Sequence, residues 1–313
     1  MIHELGYWGD CMTKIFSDNK NIYINTITSK LRLLKKTILL LSRNILTRGA
    51  LIGAFLLILI AILAPMIVPY PQDIADATHS ALKLLPPSLI HLFGTDELGR
   101  DIFSRVLVGT RISFTTAIFA VGLALIIGVP LGAVAGTLGG WIDEVIMRIT
   151  DVFLSFPPLL LAIAIVALAG PSLKNAILAI SLSWWPWYTR LVRGQTISLK
   201  ERKFVQAAEA IGTKPSTIIF KHIVPNTISP VIVQASMDMG GVILTVASLS
   251  FLGLGAQAPT PEWGLMISTS RNYFLDAWWY SIFPGMAIFV TVLIFNLLGD
   301  GLREILDPKT QKR

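Results

Sequence analysis

Long windows without a charged side chain constrain this chain more than any other feature. Residues 49–72, 112–142 and 152–173 contain no Asp, Glu, Lys or Arg. A helix that crosses a bilayer needs about 20 apolar residues, and each of these windows supplies them. The window 175–189 is shorter. It crosses if Lys174 and Arg190 extend outward, and Trp184, Trp185, Trp187 and Tyr188 suit an interfacial belt. A fifth span runs from about residue 228 to 252 and encloses Asp238; a sixth runs from about 278 to 298. The expected fold is all-α, a polytopic membrane protein with about six transmembrane helices. Composition agrees: only 14% of the residues are charged, where soluble domains have about 25%.

Six spans put both termini on one side, and the basic residues choose it. With the N-terminal tail inside, the inside segments hold 20 Lys and Arg and the outside segments 6. The positive-inside rule then makes both termini and the stretch 200–226 cytoplasmic, in the plasma (inner) membrane. The formal charge of +7 is thereby read as topology rather than as a nucleic-acid surface. Residues 1–48 form a basic tail in which Leu31, Leu34, Ile38, Leu41 and Ile45 recur at helical spacing. It is either an amphipathic helix on an anionic membrane surface or a cytosolic extension that retains the first span. The membrane-spanning body occupies 49–310, with a long external segment at 71–111, and 311–313 is a C-terminal tail. In the external segment, Thr95 or Asp96 is expected to cap a short amphipathic helix. Asp101 and Arg105 stand at i,i+4 ion-pair spacing.

Chemical machinery is sparse. There is one cysteine, Cys11, so neither an intrachain disulfide nor a four-cysteine metal site is available. His3-Glu4 begins like a zinc-protease motif, but Tyr7 stands where the second histidine is needed. The four histidines have no ligand spacing, and neither a phosphate-binding G-x-x-x-x-G-K-[ST] nor a G-x-S-x-G occurs. Gly253-Leu254-Gly255-Ala256-Gln257-Ala258 has the letters of a dinucleotide fingerprint. It follows a membrane helix rather than a strand, and Pro259 and Pro261 block a following helix, so it reads as the exit of the fifth span. The chain is expected to be no enzyme and to bind no metal or cofactor itself.

Within the spans, Gly128, Gly132, Gly136 and Gly140 recur every four residues, which leaves a groove for close approach of another helix. Pro130, Pro157-Pro158, Pro186, Pro230 and Pro284 interrupt spans, as is tolerated where neighbours or a cavity satisfy the freed backbone groups. Asp238 is the carboxylate deep in a span. It either lines a pathway or is a hydrogen-bonded structural element.

The polar island Lys203–Asn226, KFVQAAEAIGTKPSTIIFKHIVPN, stands apart. Phe204 to Ile211 is helix-forming, Gly212 offers a stop, and Pro215 sits in a first-turn position. Ile218, Ile219, Ile223 and Val224 then repeat at helical spacing until Pro225 ends the run. Two short helices between spans make a handle for another protein. With no nucleotide motif in the chain, uphill work would be driven through such a handle by an ATP-hydrolysing partner. The rivals are a gradient-driven carrier or channel and a non-transporting membrane scaffold.

This island resembles the EAA loop of ABC importer permeases: Gln206-Ala207-Ala208, then Gly212, then Val224-Pro225. Gln206 stands for the usual Glu, Val224 for Leu and His222 for Ile, while Glu209 offers a nearby charge. Further blocks are similar to the dipeptide/oligopeptide/nickel branch: Phe93-Gly94-Thr95-Asp96 with Leu98-Gly99-Arg100-Asp101, Ser248 to Gly255, Pro261-Glu262-Trp263-Gly264, and Phe295 to Arg303 with Leu306-Asp307-Pro308. The likeness runs from about residue 50 to 310 and omits the N-terminal tail. It implies a type I ABC importer permease architecture, working with a second homologous permease, two ATPase subunits that use ATP and magnesium, and an external substrate-binding protein. It also implies that Phe204, Gln206, Ala207, Ala208, Glu209, Gly212 and Pro225 couple the chain to an ATPase. The cargo implied is a peptide, a nickel chelate or a related small solute.

Overall fold

The computed structural model describes residues 44–306. The amphipathic pattern of the tail up to residue 43, the His3-Glu4 pair, Asp307-Pro308 and the tail 311–313 lie outside the described residues. The helices are α1 (Ile45–Ile67), α2 (Ile102–Leu138), α3 (Gly140–Leu154), α4 (Pro158–Ala169), α5 (Leu173–Lys200), α6 (Lys203–Ala210), α7 (Pro215–Ile218), α8 (Val224–Phe251), α9 (Trp263–Ser270) and α10 (Trp278–Leu306). Among the described residues, α1, α2, the run Pro215–Phe251 and α10 are long and apolar enough to cross a membrane.

The third expected span is not one straight helix. It divides into α3 and α4, which meet at an 87° bend. The cause is local: Pro157 and Pro158 each disfavour helical geometry in the residue before them, and α3 closes on Ser155. α5 covers the fourth window and is much longer, with 28 residues. At 1.5 Å per residue it spans about 42 Å, more than a hydrocarbon core. Arg190, Arg193 and Lys200 lie on its last turns and keep it from reading as an apolar span.

α2 and α5 run side by side in the same direction. Ser181 Oγ donates to the Ala120 carbonyl at 3.1 Å and Thr189 Oγ1 to the Gly128 carbonyl at 3.2 Å, at one constant residue offset. Lys200 Nζ reaches the Thr137 carbonyl at 2.9 Å further along. The glycines of α2 face this contact. A Cβ on Gly128 would lie 2.5 Å from the Trp185 carbonyl oxygen, one on Gly132 would overlap the Thr189 carbonyl, and one on Gly136 would lie 2.6 Å from Thr196 Cβ. Gly140 does not share in this. It comes after the end of α2 and opens α3 with φ +57°, and nothing lies near its missing Cβ. Gly139 and Gly140 instead make the corner between the two helices.

The external segment also differs from expectation. The helix begins at Ile102, ten residues before the uncharged window, and its N-cap is Asp101 rather than Thr95 or Asp96. Asp101 Oδ2 accepts from Ser104 N at 2.8 Å. The helix capped in this way is the long spanning helix α2, not a short amphipathic one.

Packing at the glycine contact generates a test. Gly132→Ala is expected to lower the melting temperature of the detergent-purified protein, at an overpacking cost of about 1–3 kcal/mol. Gly194→Ala, where a new Cβ meets nothing, should leave melting unchanged or raise it. Equal melting of the two variants would contradict a tight α2–α5 contact.

Candidate functional site

The loop between α5 and α8 is built from its ends inward. α5 stops at Lys200 and α6 starts at Lys203, so two residues join them. Period 3.6 puts Val205 and Ala208 on one face of α6, and both are buried. Val205 joins a cluster with Ala133 of α2, Val192 of α5, Ile218 of α7, Ile219 and Ile223 after it, and Val231 of α8. Ala208, expected on the face turned to a partner, is therefore turned inward. Gln206 and Ala207 are exposed on the opposite face, and Phe204 and Glu209 are exposed at the flanks of the buried stripe.

Gly212 ends α6 in the left-handed region, with φ +75°. Gly212 N donates to the Glu209 carbonyl at 2.9 Å, and Thr213 N donates to the Ala208 carbonyl at 3.0 Å. This pair of bonds is a Schellman motif, which satisfies carbonyls a short helix would leave open. Space around Gly212 is open, so backbone conformation rather than crowding requires glycine here.

Pro225 does not end a helix. From Pro215 the chain coils without interruption into the membrane helix, through a π turn at Ile219–Ile223. Pro225 has no N–H to give and crowds the preceding turn. The wider π turn, with Val224 N bonded to the Ile219 carbonyl, lets the coil pass through that position. The loop is thus continuous with α5 at one end and α8 at the other.

Asp238 lies in α8, half-buried. Gln234 Nε2, one turn earlier, donates to Asp238 Oδ1 at 3.0 Å. The fully buried Tyr188 of α5 lies within electrostatic reach of the carboxylate. Tyr188 Oη and Asp238 Oδ2, neither of which has another partner among the described residues, face each other across the α5–α8 interface.

Two polar constructions have little or no signature in the sequence. The first ties down the external segment. Asp96 Oδ2 accepts from Arg100 Nε at 2.7 Å and faces Arg105 Nε at 3.7 Å. Arg105 donates to the carbonyls of Asp73 at 3.0 Å and Pro259 at 3.2 Å. Asp101 N donates to Asp73 Oδ2 at 2.8 Å, and His91 Nδ1 meets Asp101 Oδ1 at 3.0 Å. Asp101 and Arg105 do not pair side chain to side chain; Arg105 turns to Asp96. Only the clustering of Asp and Arg in GTDELGRD signals this in the sequence.

The second is Glu262, fully buried between α8 and α9. Glu262 Oε2 caps α9 by accepting from Leu265 N at 3.0 Å. Burial pushes this carboxyl above the usual carboxylate range; backbone N–H groups of Gly264 and Leu265 and the hydroxyls of Ser250 and Ser113 pull less strongly the other way. No cluster of three His, Cys, Asp or Glu suited to a metal occurs among the described residues.

The direction for Glu262 sets the sign of a pH effect. Its pKa is higher folded than unfolded, so stability is greatest where the carboxyl is neutral in both states. It falls as pH rises from the unfolded value toward the folded one. Glu262→Gln should therefore melt above the wild type, by a margin that grows as pH rises above the ordinary glutamate value of about 4.3. A margin constant with pH, measured by thermal melting in detergent, would contradict this.

Known proteins share both this sequence and this fold. Residues 128–312 match the model of the family described as binding-protein-dependent transport system inner membrane component. The chain is 52% identical over 252 residues to the dipeptide transport system permease protein DppC of Alkalihalophilus pseudofirmus, covering 80% of this chain and 82% of the relative. It is 47% identical over 274 residues to the probable D,D-dipeptide transport system permease protein DdpC of Escherichia coli, covering 88% and 91%. It is 48% identical over 259 residues to the glutathione transport system permease protein GsiD of Pectobacterium atrosepticum, covering 82% and 85%. Among solved structures, an inward-facing form of the MetNI methionine ABC transporter superposes with a TM-score of 0.54. That match has 16% identity and covers 66% of this chain and 98% of the other. The likeness bears on the fold alone.

Proposed function

Since the chain belongs to the binding-protein-dependent transport system inner membrane components, and is thus a permease subunit of an ABC importer, we propose that ATP hydrolysis by partner subunits drives it through the loop Lys203–Asn226. The observation that carries this reading is the two-sided build of α6. Its outer face presents Gln206 and Ala207, with Phe204 and Glu209 exposed at the flanks, while Val205 and Ala208 are buried on its inner face, where Val205 packs with residues of α2, α5 and α8. A push on the outer face then moves α5 and α8 together. The gradient-driven carrier and the non-transporting scaffold have no support among the relatives.

The assembly we infer has a second homologous permease, two ATPase subunits that hold ATP and magnesium, and a substrate-binding protein outside. Small peptides are the cargo best supported, because the relatives are named for dipeptide, D,D-dipeptide and glutathione transport. Both termini and the loop are cytoplasmic in this reading, on the strength of the basic-residue asymmetry. As the ATPases close on nucleotide, α6 acts as a short rod and switches the membrane helices between inward-open and outward-open arrangements. Beyond the turn at Gly212, the π turn before Pro225 makes α7 continuous with α8. Asp238 is proposed to face the pathway when α5 and α8 shift, since it sits in the interface between them, opposite Tyr188.

Uptake of a labelled dipeptide by the reconstituted transporter, with and without its ATPase subunits, tests the reading; uptake that persists without them sinks it. Ala207→Asp and Gly212→Pro are each expected to leave membrane insertion intact. Both should uncouple nucleotide hydrolysis from uptake, the first by placing a charge against the partner surface and the second by forbidding φ +75° at the end of α6. Gln206→Ala should be milder than either. Normal coupled uptake by both severe variants would contradict the coupling role.

A further inference from the structure

An apolar groove of about 530 Å³ runs down the outward face between α2 and the start of α5. Phe119, Gly122 and Ile126 of α2 line one wall, and Lys174, Ile177 and Leu178 of α5 the other. Gly122 forms the notch, since nothing lies within 4 Å of its missing Cβ. Two cations stand at one end. Lys174 lines the groove itself, and Arg111 lies on the same exposed stripe of α2, two turns above Ile118.

The α2–α5 hydrogen bonds fix the relative depth of these cations. Ser181 meets Ala120 and Thr189 meets Gly128, both at a separation of 61 residues. The same offset sets Lys174 level with residue 113, so Arg111 and Lys174 differ in depth by about 3 Å. Both side chains are exposed, and neither makes a salt bridge among the described residues. From Ile118 to Ile126 the apolar wall extends about 12 Å along the helix, close to the roughly 15 Å depth of one leaflet's hydrocarbon.

We propose that this groove binds one anionic phospholipid, with an acyl chain along Phe119, Gly122 and Ile126 and the phosphate between Arg111 and Lys174. Charge complementarity selects the occupant. A helix of another subunit would fill the notch, but it would leave two unneutralised cations at the mouth. A lipid supplies an apolar chain and an anion at the separation the groove provides. A net negative headgroup is favoured over a zwitterionic one, whose ammonium the two cations repel. The leaflet is the outer one, a detail that rests on the topology proposed above; the binding chemistry does not depend on it.

The test is native mass spectrometry of the assembled transporter complex in detergent, titrated with phosphatidylglycerol or with phosphatidylcholine. Tighter retention of phosphatidylglycerol is expected in the wild type. Arg111→Gln with Lys174→Gln should weaken it about thirtyfold, at about fivefold per cation. Gly122→Leu should abolish the difference between the two lipids by filling the notch, without lowering the melting temperature. Equal retention of both lipids by the wild type, or unchanged retention in these variants, overturns the proposal. So does efficient cross-linking of Gly122→Cys to the second permease, which would mean that protein fills the groove. Dipeptide uptake measured on the same preparations separates the two readings. Lost ATP-driven uptake with selective lipid retention counts against the transport reading alone, and normal uptake with unselective retention against the lipid site alone.

Discussion

The contact between α2 and α5 sets the frame for the rest of the molecule. In lipid, apolar burial gives helices little reason to associate, so close backbone approach and interhelical hydrogen bonds must supply it. Gly128, Gly132 and Gly136 remove side chains from one wall, and the Ser181 and Thr189 hydroxyls donate across the gap to α2 carbonyls. Each hydroxyl also bonds within its own helix, to the carbonyls of Ile177 and Trp185. The contact therefore leaves no donor idle when the helices part.

The helix breaks around this contact sort by what they connect. The 87° bend at Pro157-Pro158 takes the chain off the axis followed by its neighbours. It is secured from outside the break: Arg193 grips Asp143 of α3 with Nε at 2.5 Å and Nη2 at 2.6 Å, and Arg190 reaches Asp151 at 2.5 Å. Those arginines are on α5, a few residues before it hands over to α6. Pro225 does the opposite. The π turn ahead of it preserves the coil, so α7 and α8 are mechanically one piece. One proline site makes a joint and the other avoids one.

Much of this was legible in the sequence, because the strongest signals are those the bilayer imposes. Charge-free windows marked α1, α2, α4 and α10, and the four-residue glycine period pointed to a groove on α2. The misreadings share a cause. Asp101 and Arg105 looked like an ion pair because both fit one helix face, but the helix starts at Ile102, and folding brings Asp96 and Asp73 to them from upstream. Ala208 looked equivalent to Ala207 as a small residue; only the cluster around Val205 decides which of the two turns inward. Glu262 read as one letter of a block. Its lone burial depends on Ser113 and Ser250 converging from α2 and α8, a tertiary fact with no local trace.

The substitution of Gln206 for the glutamate usual in such loops looks like the weak point of the coupling surface, but the magnitudes argue otherwise. An exposed ion pair is worth about 0–1 kcal/mol, and salt screens it further. Gln206 keeps both hydrogen-bonding functions on the same exposed face, and Glu209 holds a charge one turn away. Shape is the larger quantity. In the proposed coupling the exposed Ala207 would let a partner surface approach the backbone of α6, and a bulky or charged side chain there would cost contact over the whole rod. The Schellman bonds at Gly212 keep that rod from fraying, and Val205 transmits its displacement to Ala133, Val192 and Val231. A lever of the kind proposed would need stiffness and a close-fitting surface before it needed a charge, and the capped, small-faced α6 is built for both without the glutamate.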